Sequence, residues 1–319
     1  MKQYLNIAIF LLILISCGVT QAAFIADKSF QPQKRQPTYQ QDPPVVLFDE
    51  AHHNYSKLSG RYQPFAKVLA SDGYELKTNT KPFTQATLAD ADILVIVNAL
   101  NERNAKNWDL PTWPAFTRQE IEAVYRWVKS GGSLMLVADH LPFAGASADL
   151  GAIFGFHFNN GYVEDMSNRD QIFSVTNGSL QQHPILAGRT PEFAVTQVRG
   201  FVGQGFLSPP AAKPLMVFSD KAESYMPHQS WKFPAGTPTL SMAGWHQAAS
   251  LRFHRGRIVV VGEAGMFTAQ IDTDDDFSMG LQEKGAEQNE QFLLNILYWL
   301  SQGKATATNS TEKDMSHSH

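Results

Sequence analysis

The stretch that decides the expected fold of this chain reads Val45-Val46-Leu47-Phe48-Asp49-Glu50-Ala51-His52-His53-Asn54. Its four leading apolar residues form a short unbroken run, which is typical of a strand buried on both faces of a parallel sheet. The ionisable residues that follow then lie just past the carboxyl end of that strand, where open α/β sheets bind their ligands. The stretch therefore predicts a fold class and the sheet edge at which a site would lie.

The same pattern of an apolar run followed by polar residues occurs in three further stretches, Ile93 to Asn101, Leu134 to His140 and Ile258 to Glu263. Helical patterns lie between them, and the clearest opens with a capping box, Thr117-Arg118-Gln119-Glu120. This alternation predicts an α/β fold: a flavodoxin-like, doubly wound, mainly parallel sheet over residues 44–302. Residues 156–245 are rich in Gly and Pro and alternate only weakly, which indicates an irregular, antiparallel extension.

The first 22 residues have the features of a secretory signal peptide. Lys2 precedes an apolar run from Ile7 to Ile15, which is too short to span a bilayer comfortably. Leu14-Ile15-Ser16-Cys17 is similar to a bacterial lipobox, in which the cysteine becomes the lipidated first residue; ordinary cleavage after Ala22 is the alternative. Cys17 is the only cysteine, so the folded part would hold no disulfide. We expect an exported protein, either periplasmic or held at the membrane as a lipoprotein.

The segments that flank the predicted domain are polar. Residues 23–43, in which Gln, Pro and Lys are frequent, are expected to be a linker, and residues 303–319 a disordered tail. A formal net charge of -4 and a pI near 6.2 give no basic field, which excludes nucleic acid as an expected partner. The partners expected instead are a small polar ligand or an envelope protein, with membrane contact only through the possible lipid anchor.

Nine residues are candidates for a site: eight lie at or just after predicted strand ends, and His246 precedes an apolar strand and could enter the same cleft. The catalytic candidates are Glu50, His52, Asp139, His140 and Glu263, and the ligand-binding candidates are Asp49, His53, Asn98 and His246. Carboxylates beside imidazoles suit acid–base chemistry and equally suit a divalent metal, but the sequence lacks a diagnostic zinc signature such as His-Glu-x-x-His. The cofactor and the metal therefore stay unknown, and each residue could instead be a buried structural partner.

The strand-end stretches quoted above resemble the class I glutamine-amidotransferase-like superfamily. Three further stretches carry the same resemblance: Gly131-Gly132-Ser133, His183-Pro184-Ile185 and Gly262-Glu263-Ala264-Gly265-Met266-Phe267. The similarity is to an uncharacterised exported branch of the DUF4350 type, related to ThuA-like and GldG-like domains. The superfamily's enzymes carry a cysteine nucleophile after a central strand, where this chain reads Asp139-His140-Leu141. The resemblance thus implies the fold but not Cys-dependent glutamine hydrolysis. Two functions stay open: a hydrolase of a small polar or carbohydrate-like substrate, and a non-catalytic ligand- or partner-binding module.

Overall fold

The computed structural model describes residues 24–273 and 277–302 in full and the backbone of residues 303–315. The predicted signal peptide and Cys17 lie outside the described residues. The α-helices are α1 (Gln63–Ser71), α2 (Gln85–Leu88), α3 (Arg118–Lys129), α4 (Phe143–Ala152), α5 (Pro184–Ala187) and α6 (Asn289–Met315). The strands are β1 (Phe24–Ala26), β2 (Val45–Asp49), β3 (Glu75–Asn79), β4 (Ile93–Val97), β5 (Ser133–Val137), β6 (His157–Phe158), β7 (Tyr162–Asp165), β8 (Ile172–Ser174), β9 (Gln197–Arg199), β10 (Phe206–Leu207), β11 (Lys213–Val217), β12 (Ala222–Tyr225), β13 (Thr239–Ser241), β14 (His246–Phe253), β15 (Gly256–Val261), β16 (Ala269–Asp272) and β17 (Ser278–Gly280).

The centre of the fold is a nine-stranded mixed sheet in the order β3-β2-β4-β5-β15-β14-β10-β6, with β11 also paired to β14. The pairs from β3 to β15 are parallel, and those beyond β15 are antiparallel. The four strands predicted as the parallel core, β2, β4, β5 and β15, are therefore neighbours in one sheet. The chain has an α/β fold built on a large mixed sheet.

The central strands are apolar on both faces because each face is covered by helices. Val95 and Val97 of β4 pack into the cluster that includes α6, whereas Leu94 and Ile96 pack into the cluster that includes α3. All five residues of β4 are fully buried. A strand covered on both faces reads as a continuous apolar run rather than an alternating one, which is why its position could be predicted.

Helix α3 begins at the predicted capping box. The hydroxyl of Thr117 accepts a hydrogen bond from the backbone N–H of Glu120 (3.3 Å), and the Glu120 carboxylate accepts one from the N–H of Thr117 (2.9 Å). The helix ends before Gly132, where a Cβ would lie 2.3 Å from the ring of Trp127. Glycine is thus required there by the close approach of the tryptophan, and the chain turns directly into β5.

Residues 156–245 form short antiparallel pairings, including a three-stranded sheet in the order β13-β12-β7 and the pair β8-β9. Strands β6, β10 and β11 from the same region extend the main sheet beyond β14. This region is therefore attached to the antiparallel side of the main sheet. After β6 at the edge of that sheet, the chain enters the extension through β7.

The segment before β2 differs from the predicted linker, because it packs on the domain. Strand β1 pairs with β16, and the backbone N–H of Gln33 donates to both carboxylate oxygens of Glu290 at 3.1 Å. Arg35 forms a buried ion pair with Glu290, and the hydroxyl of Tyr39 lies 2.7 Å from Ser301 Oγ. The segment expected to be a linker therefore contacts the domain through the backbone of β1, a few aromatic rings and polar side chains, and these scattered contacts leave no apolar period in the sequence.

At the other end, α6 continues to Met315, beyond the start predicted for a disordered tail at residue 303. Its side chains are described only as far as residue 302. Over the described residues, none of the helices combines the length and apolar character needed to cross a bilayer.

Candidate functional site

The candidates nearest β2 form a closed polar cluster. Asp49, at the end of β2, lies 2.8 Å from Nδ1 of His52, and the Nε2 of the same ring lies 2.8 Å from the Glu120 carboxylate. Asn54 and Asn79 also donate amide hydrogen bonds to Asp49 (3.0 and 3.2 Å). Both ring nitrogens of His52 are therefore engaged by carboxylates, and the side chain is buried.

The charges of this cluster stabilise one another. Burial alone would lower the pKa of His52, but the hydrogen bonds and charges of Asp49 and Glu120 outweigh it and raise that pKa above its usual value. Burial would raise the pKa of Glu120, yet the bonds from His52 and Thr117 lower it. A histidine whose two ring nitrogens are both hydrogen-bonded to carboxylates has no free nitrogen to exchange a proton with a substrate. The contacts of His52 are those of a structural link between β2 and α3.

A second cluster lies where β5 and β15 end. Asp139 and Glu263 are both buried, and the backbone N–H of Ala264 donates to Asp139 (3.3 Å). Glu263 accepts backbone hydrogen bonds from Phe201 (2.7 Å) and Gly265 (2.5 Å). Asn98, at the end of β4, accepts a bond from the N–H of Asp139 (3.0 Å). Three neighbouring strand ends thus bring together Asn98, Asp139 and Glu263.

Burial raises the pKa of both carboxyl groups of this cluster. Burial, and after it the negative charge of Asp139, raise the pKa of Glu263 well above its ordinary value. Burial likewise raises the pKa of Asp139, although His140 and backbone N–H donors oppose the shift. Neighbouring buried carboxyl groups with raised pKa values are a recurrent feature of acid–base sites, and they also occur in structural networks.

His140 stands beside this pair inside a group of aromatic rings. Its ring stacks on Tyr162 at a centroid distance of 4.5 Å, and Trp231 packs edge-on against it at 4.8 Å. Phe143 and Trp108 complete the enclosure at 5.7 and 6.3 Å. Nδ1 of His140 bonds the carbonyl of Leu141 (2.8 Å). Nε2 makes no hydrogen bond to any described residue and lies 4.0 Å from Asp139 Oδ1.

A segment of the extension, residues 226–238, lies over His140 and is called the strap below. Hydrogen bonds in its first half hold it to the domain. The N–H of Ser230 donates to Asp109 (2.9 Å), and the hydroxyls of Ser230 and Tyr162 lie 2.7 Å apart. The N–H of Leu110 also donates to the carbonyl of His228 (3.0 Å). The remaining strap is mostly exposed, including Trp231 and Phe233. A few hydrogen bonds to the 101–116 loop thus hold the aromatic cover in place.

The contacts of Glu50 and His246 are with residues outside the His140 cluster. Glu50 accepts a hydrogen bond from the N–H of Leu58 (2.9 Å), and His53 is exposed with a positive φ of 44°. His246 lies 2.8 Å from Ser208 Oγ, and its ring faces Phe206. The structure therefore brings together Asp49 with His52, and Asn98 with Asp139, His140 and Glu263, rather than all nine residues.

Several residues of these clusters were missed by sequence reasoning. Glu120 was recognised as a helix cap but not as the partner of His52, 68 positions earlier in the chain. Gln204 and Gln247 are fully buried near the end of β15 and carry amide atoms without a hydrogen-bond partner among the described residues. Neither Gln204 nor Tyr162 falls in a pattern that marks a site, because each reaches it from the irregular extension.

The described residues contain no group of three or more His, Cys, Asp or Glu side chains placed to hold a metal ion. Two clefts lie outside the His140 cluster. One, of about 370 Å³, is lined by polar residues of the extension such as Asp165, Asn168 and Ser219. The other, of about 840 Å³, lies near the amino-terminal edge of the sheet, beside Asp92 and Gly131.

No protein-family model matches the sequence, and no curated protein matches it. Among solved structures, the mmIFT52 N-terminal domain is similar with a TM-score of 0.55 and 15% identity, over 80% of this chain and 97% of that one. Two putative ThuA-like proteins, of the class I glutamine-amidotransferase-like fold, are also similar. The one from Bacteroides uniformis has a TM-score of 0.46 at 13% identity, over 83% of this chain and 95% of that one. The one from Parabacteroides merdae has a TM-score of 0.43 at 10% identity, over 82% and 91%. At these identities the likeness concerns the fold alone.

Proposed function

We propose that this chain is an exported cell-envelope protein that binds a small polar, carbohydrate-like ligand around His140, at the carboxyl edge of the parallel strands. The observation that carries the proposal is the environment of the histidine: a ring nitrogen without a hydrogen bond to the described residues, surrounded by four aromatic rings. Aromatic walls with a few convergent polar groups are typical of small-molecule sites.

Ligand entry in this proposal requires the strap to move. His140 is buried beneath Trp231, and the strap is attached through Ser230 and His228 to the 101–116 loop. Exposed segments with few buried contacts open at low free-energy cost. The ligand would replace the edge of Trp231 against His140, and the strap would then close over it.

A hydrolase is the second candidate function, and one observation favours it. Asp139 and Glu263, whose pKa values are raised by burial, lie beside His140, so carboxyl groups and an imidazole stand next to one another. In that reading Glu263 or Asp139 donates a proton and His140 accepts one. The hydrogen bonds of these carboxyl groups argue against the hydrolase, because their oxygens already accept backbone N–H donors. A protein that only binds the ligand needs no carboxyl group free to donate a proton.

The proposal also covers the arrangement of the sheet, the family branch and the cellular location. The parallel strands, numbered by their order in the chain, lie in the spatial order 2-1-3-4-5, which supports a flavodoxin-like, doubly wound arrangement. The assignment to the DUF4350-type branch rests only on the stretches of sequence quoted in the first subsection. Export rests on Lys2 and the apolar run to Ile15, and attachment to a membrane rests on Cys17 in its lipobox-like context.

Ligand-observed saturation-transfer NMR with a panel of neutral monosaccharides and their methyl glycosides tests the proposal. We expect binding by the wild type and at least about a tenfold weaker signal in His140→Asn, since the ligand would lose its polar partner. His157→Asn, an exposed histidine on β6, is the matched control and should bind as the wild type. If no member binds, or if both variants bind alike, the proposed site is wrong.

The same panel as p-nitrophenyl glycosides separates the two functions. Release of nitrophenol that falls in Glu263→Gln while glycoside binding persists would favour the hydrolase. Binding that gives no release in the wild type, together with unaltered binding in Glu263→Gln, would favour the binding module. Elemental analysis of the purified protein adds a further discriminant, since a stoichiometric metal would favour the enzyme.

A further inference from the structure

The small sheet β1–β16–β17 carries apolar side chains on its outer face. Ile25 of β1, Ile271 of β16 and Phe277, which precedes β17, expose 42%, 38% and 52% of their surface. Ile25 and Ile271 are direct partners in the antiparallel register, so their side chains lie side by side on one face. These three residues are called the β1 patch below.

The apolar character of this face is the reverse of the usual pattern. The neighbouring positions Asp272 and Gln270 turn inward and are buried, although they are polar. A sheet with one solvated face normally places polar side chains outward. The ring of Phe24 packs edge-on against Phe277 at 6.3 Å, which fixes the exposed ring beside β1. The β1 patch is therefore a built surface rather than three scattered side chains.

The position of the β1 patch in the chain indicates what covers it. Phe24 follows Cys17 by seven residues, which can span at most about 25 Å when fully extended. Strand β1 is fixed to the domain by its pairing with β16, and the N–H of Asp27 continues the contact to Ala269 (2.8 Å). A lipid anchor at Cys17 would therefore hold the β1 patch close to the bilayer surface.

We propose that the β1 patch docks on the lipid surface, with Phe277 inserted at the headgroup level; this rests on the proposed lipid anchor at Cys17. Half-exposed aliphatic and aromatic side chains gain free energy when they enter the acyl boundary. Asp274, Asp275 and Asp276 precede Phe277 in the sequence, so a zwitterionic surface is favoured over an anionic one.

Photocrosslinking of the full-length mature protein in phosphatidylcholine vesicles tests the docking. Phe277 is replaced by p-benzoylphenylalanine, and Phe233, which is exposed to 44% on the strap, is the matched control. We expect lipid adducts from position 277 that exceed those from position 233 by about tenfold, and a fall of similar size when Ile25→Asn and Ile271→Asn are added. Addition of phosphatidylglycerol should lower the yield.

Mass spectrometry of the mature amino terminus is run on the same sample, so that the two proposals can fail separately. An acylated Cys17 with equal yields at 277 and 233, or with protein rather than lipid adducts at 277, overturns the docking and leaves the anchor standing. A mature chain that begins after Ala22 overturns the anchor, and the docking that rests on it falls with it.

Discussion

Replacing His52 by Phe tests the structural role of the link between β2 and α3. The histidine ring already packs between Phe83 and Phe116, each with a centroid distance of 4.7 Å, so a phenyl ring should fit the same space. The substitution removes two hydrogen bonds of 2.8 Å and leaves the carboxylates of Asp49 and Glu120 buried without their cation.

The expected loss in the free energy of unfolding follows from those two hydrogen bonds. Each hydrogen bond to a charged group contributes about 1.5–3 kcal/mol, and removing one partner of a buried ion pair costs about 3–5 kcal/mol. Asp49 keeps the amides of Asn54 and Asn79, and Glu120 keeps Thr117, so the lower part of this range applies. We expect His52→Phe to lower the free energy of unfolding by about 3 kcal/mol.

The loss should depend on pH. The folded-state pKa of His52 is raised, so its contribution to stability is complete below its ordinary pKa of 6.5 and is lost as pH rises through the raised value. The pKa of Glu120 is lowered, so its contribution is present above its ordinary value of 4.5 and is lost as pH falls through the lowered value.

Urea unfolding of wild type and His52→Phe at several pH values measures this dependence. The difference between the two proteins should be largest between about pH 4.5 and 6.5 and should shrink as pH rises through the raised pKa of His52. A difference below about 1 kcal/mol at pH 6, or one that grows with rising pH, would refute the ion-pair account.

Three other changes probe the fold and the second cluster. Val137→Asp should abolish the cooperative unfolding transition seen by circular dichroism, because an unpaired charge would be buried in β5 at a cost of several kcal/mol. Arg35→Ala should increase hydrogen exchange over residues 24–43 without lowering protection in β4, since the pair of Arg35 with Glu290 holds this segment against α6. The raised pKa of Glu263 makes the wild type lose stability as pH rises above the ordinary value of 4.5. Glu263→Gln should reduce that slope in urea titrations, leaving the share of Asp139, and an unchanged slope would contradict the buried-acid account.

The parallel core could be predicted because its physical cause is local in sequence. Burial on both faces makes β4 and β5 continuous apolar runs, and the strand ends follow as polar residues. The capping box of α3 was equally local, since Thr117 and Glu120 are three positions apart. Features set by a short segment of chain are the ones that a single sequence reveals.

The rest depends on contacts between distant segments. His52 is closed by Glu120, and His140 is covered by Tyr162 and Trp231; neither pairing leaves a spacing pattern in the sequence. Arg35 and its neighbours reach α6 through polar side chains, which leave no apolar pattern in the sequence. The segment before β2 therefore looks like a linker when only the sequence is considered. The single cluster expected at one sheet edge is therefore two clusters, one around His52 and one around His140, whose Nε2 makes no hydrogen bond to a described residue.

A crystal structure of the protein soaked with the tightest-binding glycoside of the panel tests the central claim most directly. We expect ligand density within hydrogen-bond distance of His140 Nε2, with the strap displaced at Trp231 and the His52 cluster unchanged. Density in the polar cleft beside Asp165, with His140 still covered by Trp231, would contradict it.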